Sequence, residues 1–278
     1  MQQVIPISTL HLFPLLDELL IDLLDSLSPE DWQKPTLARL WTVKDIAAHL
    51  LDGNVRAIAA LDGYEVPVST PINNNKDLVD YLNSLNAVWI NAMKRVSPQL
   101  LINQLKSTGK QYIAYLHTLQ PFEQARFSVA WAGEQTSLNW FHIAREYTEK
   151  WHHQQQIREA VGKPGLMTRQ LFYPYIATLL HALPYTYHHT YAHIGTILKI
   201  TISSEIGGEW YLLKLADKWI LVDLPPLGNV TTQVILAPDI AWKLFTKGIS
   251  PLAAINVSTI NGDIAIGKIV FNTIAVMA

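Results

Sequence analysis

Residues 137–165 read SLNWFHIAREYTEKWHHQQQIREAVGKPG, and the organisation of the chain turns on this stretch. Ser137 is suited to cap a helix, the helical pattern runs to Val161, and Gly162 with Pro164 just beyond supplies the stop. Trp140, Ala144, Tyr147 and Trp151 recur on one face and can pack as core. His142, Glu146, Glu149 and His153 fall at i, i+4, i+7 and i+11, which is a single stripe on another face. Before the GKPG turn the chain reads as helices. After it the texture changes.

Upstream, Leu12, Leu16, Leu19, Leu23 and Leu27 mark an amphipathic helix. SPEDW follows, with Ser28 as cap and Pro29 at the first helical position of a short turn. T-V-K-D at Thr42–Asp45 is a capping-box variant that opens a helix running towards Gly63. That helix carries a second polar stripe of Asp45, His49, Asp52 and Arg56. Lys76 to about Lys94 and Pro98–Leu119 read as further helix, broken near Ser97. ARFSVAWAGEQ then alternates around a glycine and predicts a short strand or hairpin, with Trp131 either buried or overhanging a pocket.

Downstream, MTRQLFYPYIATLLHAL predicts one connecting helix. From Ile194 onward, β-branched runs separated by Gly-Gly, Ala-Asp and Leu-Gly-Asn turns predict antiparallel strands. Asp239–Lys247 and Asp263–Met277 read as helices opened by aspartate caps. The expectation is therefore a helical bundle over 1–165 and a smaller α+β domain, an antiparallel sheet with helices, over 166–278.

Composition narrows the chemistry. A net charge of −2 and no basic run interleaved with aromatics argue against nucleic acid as a partner. MQQVIPISTLHLFPLL lacks a positive n-region and cleavage site, and no apolar run is long enough to span a bilayer, so a cytoplasmic protein without membrane span is expected. With no cysteine there is no thiolate ligand and no cysteine nucleophile, so any metal must be held by His, Asp or Glu and any thiol must be diffusible.

Should the two polar stripes face each other, His49, Glu149 and His153 would form a two-histidine, one-carboxylate cluster of the kind built between bundle helices. Three protein ligands leave positions open, as at a catalytic rather than a structural site. The plainer reading is a solvated i, i+4 pair and an unrelated helix histidine. Asp45, Asp52, His142, Glu146, Gln156 and Trp131 are candidates for a surrounding shell or substrate pocket. A further group, His181, His188, His189 and His193, lies among Tyr185, Tyr187 and Tyr191 with no carboxylate to complete a hard-metal set, so aromatic packing is expected there.

LWTVKDIAAHLLDGNVRAI, WAGEQTSLNWFHIAREYTEKWHHQQQIREAVGKPG and the later HALPYTY, GGEWYLL and INGD segments resemble the mycothiol-dependent maleylpyruvate isomerase family. The resemblance spans nearly the whole chain. It implies a DinB-like metal-binding four-helix bundle followed by a domain similar to sterol carrier proteins. Carried over by position, the family's ligands fall on His49, Glu149 and His153. Two departures stand out. Gln156 occupies a place where the family often has an acidic residue, and no arginine follows Arg169 to clamp a dicarboxylate near the junction.

The expected activity is that of a divalent-metal enzyme acting on a small molecule with a low-molecular-weight thiol, as an isomerase or S-transferase. Zinc is the first choice, with nickel or iron next. The rivals are a metal-dependent hydrolase on the same three ligands and a non-enzymatic binding protein for an apolar ligand. The sequence carries no statement of oligomeric state.

Overall fold

The computed structural model describes residues 4–64, 71–72, 74–222 and 224–277. The chain divides into two compact units. The first holds the chain to Glu123, then Glu149–Gly165 and Met277; the second holds Gln124–Thr148 and Leu166–Val276.

In the first unit, helix α1 (Phe13–Asp25) buries Phe13, Leu16, Leu20, Leu23 and Leu24, the apolar stripe that the leucine spacing predicts. A 3-10 turn, Asp31–Gln33, follows, held by reciprocal Ser28 and Asp31 contacts of side chain to backbone amide at 3.3 and 3.1 Å. Helix α2 (Val43–Leu61) opens on a complete capping box: Thr42 Oγ1 accepts from the Asp45 amide at 3.3 Å, and Asp45 accepts from the Thr42 amide at 3.0 Å. Helices α3 (Asn75–Met93) and α4 (Pro98–Thr118) each start on a side-chain cap, Asn74 and Ser97. Pro98 cannot continue a preceding helix but suits the first turn of a new one, which explains the break near Ser97.

Helix α5 (Asn139–Val161) crosses the boundary between the units in sequence. Its end closes at Gly162 in the left-handed region, where glycine carries no Cβ penalty. The core of the first unit gathers Leu20, Leu24, Ile46, Leu50, Leu101, Leu105 and Ile157 from α1, α2, α4 and α5, with Trp32 from the 3-10 turn. Polar groups tie the same helices: Lys150 Nζ, buried, donates to Asn54 Oδ1 at 2.7 Å, and Arg158 Nη2 donates to the Leu19 carbonyl at 2.9 Å. Each cation has a further contact: Lys150 Nζ lies 3.7 Å from Asp17 Oδ1, and Arg158 Nη1 donates to the Pro164 carbonyl at 2.6 Å.

The second unit contains α6 (Arg169–Leu180), α7 (Leu183–Thr186), and a five-stranded sheet with short helices. The strands are β1 (Ile197–Ile202), β2 (Gly208–Lys214), β3 (Trp219–Val222), β4 (Thr232–Leu236) and β5 (Thr259–Gly262), in the order β3-β2-β1-β4-β5. Three pairings are antiparallel, as expected; β1 with β4 is parallel. The parallel pair arises because the chain leaves the sheet at its β3 edge and re-enters on the far side of β1. Central β1 and β4 bury Leu198, Ile200, Val234 and Leu236, so aliphatic side chains fill the sheet face that packs inward.

Several local expectations are corrected. The alternating stretch 125–135 forms no strand: Ala130–Ala132 is a 3-10 turn closed by Gly133 at φ 80°, and the one pairing described there is a single bridge from Gln124 to Leu138. Buried Val129 and Trp131 produce the alternation without a strand partner. The connecting helix stops at Leu180, and α7 follows separately. Helix α8 (Pro238–Phe245) starts one residue before Asp239, since Pro238 takes the first helical position and Ala237 the cap. The predicted long last helix is shorter: α9 (Pro251–Ile255) and β5 precede it, and α10 (Ile264–Ile269), capped by Asp263, gives way to a 3-10 turn and extended chain at Thr273. A β-branched run holds helix poorly beyond its cap.

Candidate metal centre

Helix α2 contributes His49, and the second half of α5 contributes Glu149 and His153. All three lie in the first unit. Their ligand atoms, one from each side chain, fall within 4.8 Å of one another. Among the described residues this is the one group of three or more His, Cys, Asp or Glu side chains so gathered. Glu149 and His153 are one helical turn apart, which places Glu149 Oε2 3.4 Å from His153 Nε2. Two donor atoms about 2.0–2.1 Å from one tetrahedral ion stand roughly 3.4 Å apart. The pair already has that spacing.

His49 reaches the pair across the bundle, its ring centroid 4.7 Å from that of His153 at 73°. The backbone at this point is pinned, because Trp89 Nε1 of α3 donates to the Ala48 carbonyl at 2.8 Å. Trp41, just ahead of α2, packs against both imidazoles at 4.8 and 6.1 Å and supplies an apolar wall.

Two features set the donor state of the rings. His153 Nδ1 donates to Gln156 Oε1 at 2.9 Å, which leaves Nε2 as the lone-pair nitrogen on the Glu149 side. His49 Nδ1 is buried and meets no hydrogen-bond partner among the described residues. A buried imidazole nitrogen left without a partner costs about 1–3 kcal/mol, which a ligand on that same nitrogen would offset. Burial, with the neighbouring His153 second, holds the His49 ring well below the usual histidine range, so it stays neutral and able to donate a lone pair. Two neutral imidazoles and a carboxylate suit a borderline divalent cation.

The other candidates separate. Gln156 orients His153, as described. Asp45 is engaged in the α2 capping box. Asp52 is buried and pairs with Arg56, whose Nε lies 3.0 Å from Asp52 Oδ2. His142 and Glu146 belong to the second unit, where Arg145 contacts both: Arg145 Nη2 donates to His142 Nδ1 at 3.1 Å and to Glu146 Oε1. Trp131 also lies in the second unit, edge-on to Phe141 at 5.9 Å. A cavity of about 290 Å³ in that unit, with Glu134, Thr136 and Trp140 in its wall, includes none of the three ligands. His188 and His189 are exposed with rings 3.7 Å apart, and His188 stacks on Tyr185 at 4.7 Å, an aromatic cluster as expected.

Trp41 stood in the sequence as the first residue of the W-T-V-K-D-x-x-A-H-L motif that ends beside His49, but with no role attached. Trp89 was visible only as one aromatic in a helix, and no spacing rule links it to His49.

Comparison with known proteins fits this geometry. Residues 13–158, just over half of the chain, match the sequence model of the mycothiol maleylpyruvate isomerase N-terminal domain. Among solved structures, a mycothiol-dependent maleylpyruvate isomerase is similar at TM-score 0.52 and 14% identity, covering 84% of this chain and 86% of its own. A mutant of that isomerase is similar to the same extent, at TM-score 0.52 and 13% identity over 84% and 86% of the two chains. At these identities the likeness is one of fold. No curated protein matches the sequence.

Proposed function

We propose that this chain, which belongs to the mycothiol maleylpyruvate isomerase N-terminal domain family, binds one divalent metal ion through His49, Glu149 and His153 and acts with a low-molecular-weight thiol on a small molecule, as an isomerase or S-transferase. The observation that carries the metal is the convergence of one donor atom each from His49, Glu149 and His153 within 4.8 Å of one another. The family and the solved isomerases support the thiol and the isomerase class. Zinc is the ion of choice for this donor set, with nickel or iron as alternatives.

An ion held by His49, Glu149 and His153 would supply Lewis acidity and favour the deprotonated form of a bound thiol or water. The chain's own groups do the rest. Gln156 fixes the tautomer and plane of His153. Trp41 keeps water from one side of both imidazoles, which strengthens every charge interaction at the site. Having no cysteine, the chain offers no internal thiol to compete with a diffusible one.

The domain reading, a metal-binding bundle over 1–165 and a sterol carrier-like domain over 166–278, belongs to the same proposal, with the second domain contributing to small-molecule binding. A cytoplasmic setting is part of it too. Among the described residues no helix is long and apolar enough to cross a membrane.

The test is elemental analysis of the purified protein followed by turnover assays on the metal-loaded form with and without added thiol. One ion per chain and thiol-dependent turnover are expected. Thiol-independent hydrolysis would replace the reading by a metal hydrolase; absence of any bound ion would remove the site.

A further inference from the structure

The two helices that supply the candidate metal ligands are also joined by a buried polar pair. Lys150, next to Glu149 in α5, is 7% exposed, and Asn54, five residues after His49 in α2, is 1% exposed. Lysine is rarely buried to this degree unless paired. Its Nζ donates to Asn54 Oδ1 at 2.7 Å. His49 meets His153 and Asn54 meets Lys150, so residue numbers rise along α2 as they fall along α5. The helices run antiparallel here, and the pair lies about 7.5 Å of helix rise along α2 from His49.

The surroundings of the pair, all in the first unit, are built to hold it. Asn54 Nδ2 donates to Thr108 Oγ1 of α4 at 3.1 Å, which turns the amide so that Oδ1 faces the lysine. Lys150 Nζ stands 4.6 Å from the centre of the Tyr112 ring, also of α4, and 3.7 Å from Asp17 Oδ1 of α1. Gly109 belongs to the same arrangement. It is buried within α4, where glycine is the poorest helix former after proline, yet a Cβ there would come within 2.0 Å of Asp17 Oδ2. A side chain at 109 would displace the carboxylate that stands beside Lys150.

A metal site makes the register of these helices matter. Ligand distances have to hold to within about 0.2 Å, whereas sliding a helix by one residue moves its side chains about 1.5 Å along the axis. Aliphatic ridges can fit more than one neighbouring groove. A buried lysine accepts only the register in which its acceptor is met, because any other leaves a charge unpaired in the core. The Lys150–Asn54 bond therefore disfavours the registers that would carry His49 away from Glu149 and His153.

We propose that Lys150 and Asn54 are positioning residues of the His49–Glu149–His153 site: their hydrogen bond sets the register of α5 on α2, and with it the coordination geometry offered to the ion. The role of the site rests on the metal reading above; the approach of residues 49 and 153 does not require the ion.

Two measurements on the full chain test this, one with metal and one without. In the first, the parent, Lys150→Met and Lys150→Met/Asn54→Leu are titrated with cobalt(II), whose visible absorption reports the geometry of its ligands. The double variant exchanges a buried polar pair for an apolar one and should keep the urea midpoint of the parent. It should nevertheless bind cobalt(II) about 10- to 100-fold more weakly, with an altered spectrum. A merely structural role would move the midpoint and leave the spectrum of the folded protein as it was. In the second, His49→Cys/His153→Cys introduces a pair of thiols into a chain that has none, and their bridging by dibromobimane is followed with and without Lys150→Met. Loss of the lysine should slow bridging about tenfold, a coupling of the size found between residues of one hydrogen-bond network. Parent-like bridging in a folded Lys150→Met, or parent-like affinity and spectrum for cobalt(II), overturns the proposal, as does failure of the two cysteines to bridge in any background. Circular dichroism identifies a Lys150→Met that does not fold, and the double variant then decides in both measurements. If the parent takes up neither cobalt(II) nor zinc while bridging depends on Lys150, the metal reading falls and the positioning of residues 49 and 153 stands. Metal bound with affinity, spectrum and bridging all indifferent to residues 54 and 150 gives the reverse.

Discussion

The two halves of α5 carry the same sequence device and use it differently. In the first half, His142 and Glu146 sit at i, i+4, and Arg145 contacts both, so the carboxylate has its cation and the imidazole its donor within the helix. In the second half, Glu149 and His153 have the same types at the same spacing in reverse order, and no arginine stands between them. There the third member is His49 of α2, a residue that adds another lone pair instead of a charge. The first cluster is electrostatically complete as it stands. The second gathers two imidazoles and a carboxylate, and that difference, more than histidine content, makes it the candidate site for a cation.

The largest expected effect tests that contrast directly. His49→Ala and His153→Ala should each abolish stoichiometric metal in purified protein, whereas His142→Ala should leave it intact, as read by elemental analysis. Equal loss from all three would erase the distinction between the halves. A smaller effect sharpens it. Gln156→Leu removes the acceptor of His153 Nδ1 and should lower metal affinity about 10- to 100-fold with little change in unfolding midpoint. Gln156→Glu, by giving the ring a charged acceptor, should raise affinity in the same titration. On the other half, Arg145→Met should leave metal affinity unchanged but cost about 1–3 kcal/mol of stability in urea denaturation, because Glu146 loses its guanidinium contact in a mostly buried place.

The smallest effect is a pH dependence. Burial lowers the His142 imidazole below its ordinary value. Such a group takes up a proton on unfolding, so its contribution to stability is present above the unfolded value of about 6.5 and is lost as pH falls towards the lower folded value. His142→Gln should flatten the stability profile of metal-free protein in that window, by at most about 1.4 kcal/mol per pH unit. An identical slope in parent and variant would mean that His142 is already solvated.

Much of the architecture was legible because it is local. The Thr42–Asp45 capping box, the Gly162 stop and the strands after Ile197 are each set by residues within a few positions of one another. The failures have local causes as well. Alternation at Val129 and Trp131 came from burial without a strand partner, and Pro238 shifted a helix start that Asp239 appeared to own. β5 went unread because four residues ending in glycine carry too little pattern.

The sequence alone determined that Glu149 and His153 share a face one turn apart, and that Asp52 and Arg56 can pair, since helix geometry fixes side-chain spacing over a turn whatever the surroundings. Only the tertiary structure decided that His49 meets the pair from another helix, that Trp41 and Trp89 flank it, and that β1 runs parallel to β4. Those outcomes follow from which surfaces bury against which, and contacts between distant segments leave no period in the chain that makes them.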